Sequence, residues 1–140
     1  MNNMIKRSRT AAFSLLAGDW VVLLLFTVLG GIEHQMGLSV WDAVIVALPY
    51  LIIWPIIAFL SGAYRDQTYS SYTKTTAMIA IAWVITHPLA LGLRWFLYNK
   101  PAFTTFAPVA LVFVYLFLVI WRLIFVWIYK RSTNETDKQA

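Results

Sequence analysis

Residues 10–32 read TAAFSLLAGDWVVLLLFTVLGGI, an apolar run in which Asp19 is the only charged side chain. A helix of about 20 apolar residues, rising about 1.5 Å per residue, crosses a hydrocarbon layer of about 30 Å. This run is long enough to cross, and a charge at such a depth is costly unless it is paired or hydrated. The stretch therefore predicts a membrane span and marks Asp19 as a candidate functional residue.

The same criterion predicts three further spans, at Asp42–Tyr64, Thr75–Tyr98 and Ala102–Tyr129, after a first span at Thr10–Ile32. Across the chain 61% of residues are hydrophobic and 12% are charged, against about a quarter charged in a soluble domain. The composition leaves too few charges to cover a water-facing surface. We expect an all-α integral membrane four-helix bundle.

The basic residues outside the spans predict the orientation of the bundle. They lie mainly in a basic tail over residues 1–9, in the connection between spans two and three, and in a polar tail over residues 130–140. The rule that basic loops stay inside then places both termini in the cytoplasm, with one membrane domain over residues 10–129.

Asp19 and Arg122 lie at matching depths in spans one and four. Asp19 is about 13 Å along a helix from Thr10, and Arg122 is about 12 Å from Lys130. Since both distances start from the same side, we expect an ion pair. The alternative is that Arg122 reaches the headgroups while Asp19 binds water or a proton.

A second group of polar residues lies at the other ends of the spans. Glu33, Asp42 and Arg94 each lie near a span end on the predicted extracytoplasmic side, with His34 beside them. We expect these four to cluster there. Together with the Asp19–Arg122 pair they are candidates for a polar cavity.

Eight of the tryptophans and tyrosines fall into two classes of depth. Five lie at predicted span ends, where amphipathic rings favour the headgroup region: Trp41, Tyr64, Tyr98, Trp127 and Tyr129. Trp54, Trp83 and Tyr115 lie deeper, where their N–H or O–H groups need partners. These three are candidates for lining an internal site, although packing alone would also explain them.

His87 could ligate haem or chlorophyll, because a single axial histidine can hold a porphyrin. A lone intramembrane histidine more often packs and forms hydrogen bonds. The chain has no cysteine, and its only other histidine, His34, lies far from helical ligand spacing. The sequence has no nucleophile elbow, no phosphate loop and no basic run interleaved with aromatics, and it has no carboxylate pair at one depth beyond the loop-side Glu33 and Asp42. We therefore expect no enzymatic activity, no cofactor, no metal and no nucleic-acid partner.

The order of several short motifs resembles a known family. Asp19 opens a leucine-rich stretch that ends at Leu29-Gly30 and His34, and Trp54-Pro55 follows. Next come Trp83 with Pro88, then Gly92-Leu93-Arg94, and finally Trp121-Arg122.

Over roughly Ala17 to Leu123 this pattern is similar to small prokaryotic four-span membrane proteins catalogued as domain of unknown function three-zero-five-four. Pro49 is additional to the pattern, and Gln67–Thr76 has no counterpart in it. The resemblance implies a multi-pass protein of the prokaryotic cytoplasmic membrane. It singles out Asp19, His34, Trp54, Arg94 and Arg122 and implies no particular activity.

Three functions remain open from the sequence. The first is binding or transport of a small molecule or ion in a polar cavity, for which so small a bundle would need to form a homo-oligomer. The second is an accessory or assembly subunit of a larger membrane complex. The third is haem or chlorophyll attachment through His87. Membrane lipid is a partner in all three.

Overall fold

The computed structural model describes residues 2–33, 37, 39–99 and 106–139. They form five helices: α1 Asn2–Glu33, α2 Val40–Leu60, α3 Asp66–Tyr69, α4 Tyr72–Tyr98 and α5 Phe106–Gln139. No strand occurs among these residues. All but the short α3 are long and apolar enough to cross a membrane. The predicted all-α four-helix bundle is confirmed, and the chain is a multi-pass membrane protein.

The helix bounds differ from the predicted spans in two ways. Both predicted tails are largely helical, because α1 begins at Asn2 and α5 continues to Gln139. The second span was predicted to reach Tyr64, but α2 ends at Leu60 because the chain turns at Gly62, whose φ is +83°. The predicted start of span four, Ala102, lies outside the described residues.

The start of α2 is set by a capping box. The Ser39 hydroxyl accepts the Asp42 backbone N–H at 3.2 Å, and the Asp42 carboxylate accepts the Ser39 N–H at 3.0 Å. Each side chain thereby satisfies a backbone donor that the first helical turn leaves without a partner. Asp42 thus has a local structural role in beginning the helix.

The four long helices pack in the cyclic order α1–α2–α4–α5, each against its two antiparallel neighbours. The short α3 packs on α4 and α5 at the end of the bundle that holds both termini, here called the termini end. Trp54, Trp83 and Leu118 are fully or almost fully buried between the helices. Large apolar side chains such as Phe59 and Val84 point outward, as expected of helices surrounded by lipid. The bundle therefore has a small interior in which any buried charge must find its partner.

Candidate functional site

Asp19 and Arg122 form a two-pronged ion pair between α1 and α5. Arg122 Nε donates to Asp19 Oδ1 at 3.0 Å, and Arg122 Nη2 donates to Asp19 Oδ2 at 2.5 Å. Both side chains are completely buried. The ion pair expected from matched depths is present, and its planar geometry is the one in which arginine binds a carboxylate most strongly.

Helix α2 and the turn that follows it each supply one further donor to Asp19. The Trp54 indole N–H and the Tyr64 hydroxyl each donate to Asp19 Oδ2, both at 2.9 Å. Asp19 Oδ2 thus accepts three hydrogen bonds and Oδ1 accepts one, and the side chain is completely buried. The carboxylate of Asp19 therefore has little capacity left for a ligand.

Arg122 is also satisfied by protein groups. Its third nitrogen, Nη1, donates to the Ala63 carbonyl at 3.0 Å. The central carbon of the guanidinium, Cζ, lies 4.9 Å from the centroid of the Tyr64 ring. A cation over an aromatic face is stabilised by the ring quadrupole, more strongly when water is excluded. The pair and its aromatic partners connect α1, α2 and α5 at one depth. Such an enclosed network is suited to positioning helices.

The turn after α2 places Tyr64 and Ala63 at the ion pair. Gly62 adopts a left-handed φ of +83°, which a residue with a Cβ reaches only with strain. Two hydrogen bonds hold the turn: the Ala63 N–H donates to the Ala58 carbonyl, and the Thr68 hydroxyl donates to the Gly62 carbonyl, both at 2.9 Å. The chain thereby folds back over the end of the bundle and directs the Tyr64 hydroxyl inward.

A separate small cavity lies toward the other end of the bundle. About 20 Å³ is available there to the centre of a water molecule, enough for one water or one monatomic ion. Among the described residues, Arg94 is the only charged residue in its wall, and this space is called the Arg94 cavity below. Its wall comprises Leu23, Phe26, Thr27, Val46, Tyr50, Trp83, Arg94, Ala110 and Val114.

The polar side of the Arg94 cavity continues into a layer of aromatic rings. The Tyr50 hydroxyl shares a hydrogen bond with His87 Nδ1 at 3.2 Å, and the Tyr50 ring stacks on Trp83 with centroids 5.6 Å apart. The Trp83 indole N–H donates to the Leu111 carbonyl at 2.8 Å. The Arg94 side chain and the Tyr50 hydroxyl therefore lie in a wall that is otherwise largely apolar.

His87 is part of this packed layer. Its ring lies 5.8 Å from the Tyr50 centroid and 5.5 Å from the Trp83 centroid, and the residue is 6% exposed. A porphyrin is far larger than the Arg94 cavity beside these rings. Within the part of the chain described, no group of three or more His, Cys, Asp or Glu residues could hold a metal ion.

Of the remaining predicted site residues, those that the structure describes do not line the Arg94 cavity. Glu33 is exposed at the end of α1, and Asp42 is engaged in the capping box of α2. Tyr115 is half-buried and packs on the apolar core. His34 lies outside the described residues. Of the four residues expected to cluster at this end, the structure places only Arg94 at the cavity.

Two tyrosines contribute to these sites in ways that the sequence did not predict. Tyr64 was interpreted as a residue of the interfacial aromatic belt, and this is wrong because its hydroxyl binds Asp19. Tyr50 shares a helical face with Trp54, and this spacing predicts that both point inward, as the structure has them. For Tyr64 the available signal was Gly62, a residue that permits the turn.

Residues 16–125 match a protein family described as protein of unknown function DUF3054. The chain belongs to this family. The matched part of this DUF3054 protein contains the ion pair, its aromatic partners and the whole wall of the Arg94 cavity. No curated protein and no solved structure matches the chain. The family membership confirms the resemblance and leaves the biochemical role to be argued from the two polar sites.

Proposed function

We propose that this DUF3054 protein is a non-enzymatic membrane protein that binds a small inorganic anion in the Arg94 cavity. The observation that carries the proposal is the position of Arg94, which is the only charged residue that the described part of the chain contributes to the wall of an internal cavity. Ionisable residues inside a membrane domain are rare and often mark ion or substrate sites. Binding sites in helix bundles are commonly built from side chains on facing helices, as here.

The properties of the wall favour an anion over a cation or a large organic molecule. Arg94 brings a positive charge, and Tyr50 brings a hydroxyl next to it. The other wall residues are apolar apart from Thr27, whose hydroxyl donates to the Leu23 carbonyl, and Trp83, whose indole N–H donates to the Leu111 carbonyl. Since the space holds about one water, the ligand would be as small as a halide.

The Asp19–Arg122 pair supports the proposal indirectly, as the element that holds the bundle together. Three protein donors bind Asp19 Oδ2 and one binds Oδ1, and the carboxylate is completely buried. The polar groups of the pair therefore stabilise the fold. The Arg94 cavity is the better candidate for a site that a ligand can enter. This division assigns structure to one end of the bundle and binding to the other.

The cellular setting belongs to the same proposal. The distribution of basic residues supports a cytoplasmic membrane of a prokaryote with both termini in the cytoplasm. The Arg94 cavity would then lie in the extracytoplasmic half. Transport across the membrane would need a path on both sides of the cavity, which a homo-oligomer could complete at its subunit contacts.

Iodide quenching of tryptophan fluorescence tests the binding site, because Trp83 lies in the cavity wall. Titration of the purified protein with iodide should give a saturable component besides the linear quenching of exposed tryptophans. Trp83→Phe should remove that component, and Arg94→Gln should weaken it by about tenfold or more, since a hydrogen bond to a charge is lost. Lys74→Gln is the matched control, with the same charge change on the same helix and an exposed side chain.

A strictly linear titration of the wild type would contradict the proposal, as would a saturable component that survives in Arg94→Gln. Vesicles loaded with a halide-sensitive dye separate binding from transport. If iodide enters faster than through protein-free vesicles and Arg94→Gln abolishes the difference, the protein transports the anion. Saturable quenching without such entry leaves the protein as a binding protein.

A further inference from the structure

A long apolar groove runs between α1 and α2 on the lipid-facing side of the bundle. Its volume is about 660 Å³, and its walls include Phe13 and Leu16 of α1 and Ile56 and Phe59 of α2. Phe13 and Phe59 are each 72% exposed, so the groove opens to the surroundings of the bundle. The shape and chemistry of these walls fit a hydrocarbon chain.

The groove ends in two arginines at the termini end. Arg9 lies at the first residue of the first candidate span, and Arg65 lies in the turn after α2. Both line the groove, and no acidic residue does. A positive mouth above an apolar groove is complementary to an anionic headgroup attached to an acyl chain.

Neither arginine is neutralised by a carboxylate in the part of the chain described. Asp66 follows Arg65 directly, but its carboxylate accepts the Tyr129 hydroxyl of α5 at 3.1 Å. The Arg65 side chain instead folds over Gly62, where its Cδ and Nε would lie 3.1 Å from an added Cβ. The positive charge at the mouth is therefore available to a ligand.

The groove and Trp20, which lies just beyond it, together cover about the depth of one membrane leaflet. Arg9, Phe13, Leu16 and Trp20 are spaced so that they share one face of α1. Arg9 and Trp20 are about 16 Å apart along the axis, against about 15 Å for the hydrocarbon of one leaflet. Trp20 donates its indole N–H to the Leu51 carbonyl of α2 at 3.1 Å and so bridges the two helices one turn beyond Leu16.

We propose that the α1–α2 groove is a specific site for an anionic phospholipid of the surrounding bilayer. One acyl chain lies between Phe13 and Phe59, and the phosphate is bound by Arg9 and Arg65. The arginines add about fivefold each to the affinity, or about 30-fold together, over a zwitterionic lipid in the same groove. The site is separate from the Arg94 cavity and does not depend on anion binding there.

Trp20 is a built-in reporter for this site, because bromine atoms on an acyl chain quench a nearby indole. The protein is reconstituted in phosphatidylcholine vesicles that contain a small fraction of brominated phosphatidylglycerol, or the same fraction of brominated phosphatidylcholine. The exposed residues Trp41, Trp95 and Trp127 are present in both the wild type and Trp20→Phe, so their quenching cancels in the comparison. The quenching of Trp20 is obtained as the difference in fluorescence quenching between the wild type and Trp20→Phe.

We expect brominated phosphatidylglycerol to quench Trp20 at a lower mole fraction than brominated phosphatidylcholine. Arg9→Gln with Arg65→Gln should abolish this preference, whereas Arg9→Lys with Arg65→Lys should keep much of it because the charges remain. Lys130→Gln with Arg131→Gln is the control for general surface charge, since it removes the same charge at the same end of the bundle. This control should keep the preference.

Three outcomes would overturn the proposal. Equal quenching by the two lipids would show an apolar groove without headgroup selection. Loss of the preference in the Lys130→Gln, Arg131→Gln control would show that the anionic lipid is attracted by the general positive charge of the protein surface at this end and not by the groove. Protection of Trp20 from both lipids would show that another protein segment, such as a helix of a second copy, fills the groove.

Discussion

Gly18 and Trp121 pack directly against each other, one residue before the two members of the buried ion pair. A methyl group on Gly18 would collide with the Cζ2 and Cε2 atoms of the Trp121 indole. The absence of a side chain at residue 18 therefore lets α1 and α5 approach with an indole between them. The same approach brings Asp19 and Arg122 within hydrogen-bonding distance.

Gly18→Ala should destabilise the bundle, because the rigid indole of Trp121 has to move to admit the methyl group. Overfilling a packed site costs about 1–3 kcal/mol. Thermal unfolding in detergent would show this as a lower midpoint. Gly30→Ala is the matched control on the same helix, since nothing lies within 4 Å of an added Cβ there. An unchanged midpoint for Gly18→Ala would contradict the close packing.

Asp19→Asn should destabilise the protein by about 3–5 kcal/mol, because it leaves the buried Arg122 charge without its counterion. Glu33→Gln removes an exposed carboxylate from the same helix and should have little effect. Combining Asp19→Asn with Arg122→Met should recover part of the loss, since no unpaired charge remains. Chemical unfolding of the wild type, Asp19→Asn, Arg122→Met and the double variant measures the coupling between the two residues.

Exchange of the pair, Asp19→Arg with Arg122→Asp, should restore only part of the stability. The Trp54 N–H and the Tyr64 O–H donate to residue 19, and a guanidinium at that position has no acceptor to offer them. The double variant should unfold at a midpoint between the single variants and the wild type. Full recovery would show that the donors of Trp54 and Tyr64 do not favour a carboxylate over a guanidinium at residue 19.

Tyr64→Phe should cost about 1.5–3 kcal/mol, because it removes a hydrogen bond to an ionised group inside the bundle. Tyr115→Phe is the control. Tyr115 is half-buried against the core, and within the described residues the structure gives its hydroxyl no hydrogen bond. That control should change stability by less than about 0.5 kcal/mol. Equal effects of the two substitutions would argue against the inward role of Tyr64.

Both termini should face the cytoplasm. A phosphatase that is active only outside the cytoplasm, fused after residue 140, should be inactive, and a cytoplasmic fluorescent reporter at the same position should be bright. The reason is the excess of Lys and Arg in the tails and the middle connection. An active phosphatase fusion would reverse the orientation and would place the Arg94 cavity in the cytoplasmic half.

The sequence by itself determined the properties that depend on distance along a helix. Four apolar runs of spanning length predict four helices, because every residue of a membrane helix advances by the same rise. The same constant rise makes the depths of Asp19 and Arg122 comparable, and the pair is present in the structure. Trp54 could likewise be predicted to need a polar partner from its depth alone.

Only the tertiary structure decided which polar groups meet around the helix axes. Tyr64 reaches Asp19 because α2 ends at Leu60 and the chain reverses at Gly62, whereas an unbroken span would place the same residue at the headgroups. Arg94 lines an interior cavity while Asp42 begins its own helix, although both lie near span ends. The rotation of each helix and the direction of each turn depend on how side chains of distant segments pack together. The spacing of residues along the chain does not predict that packing.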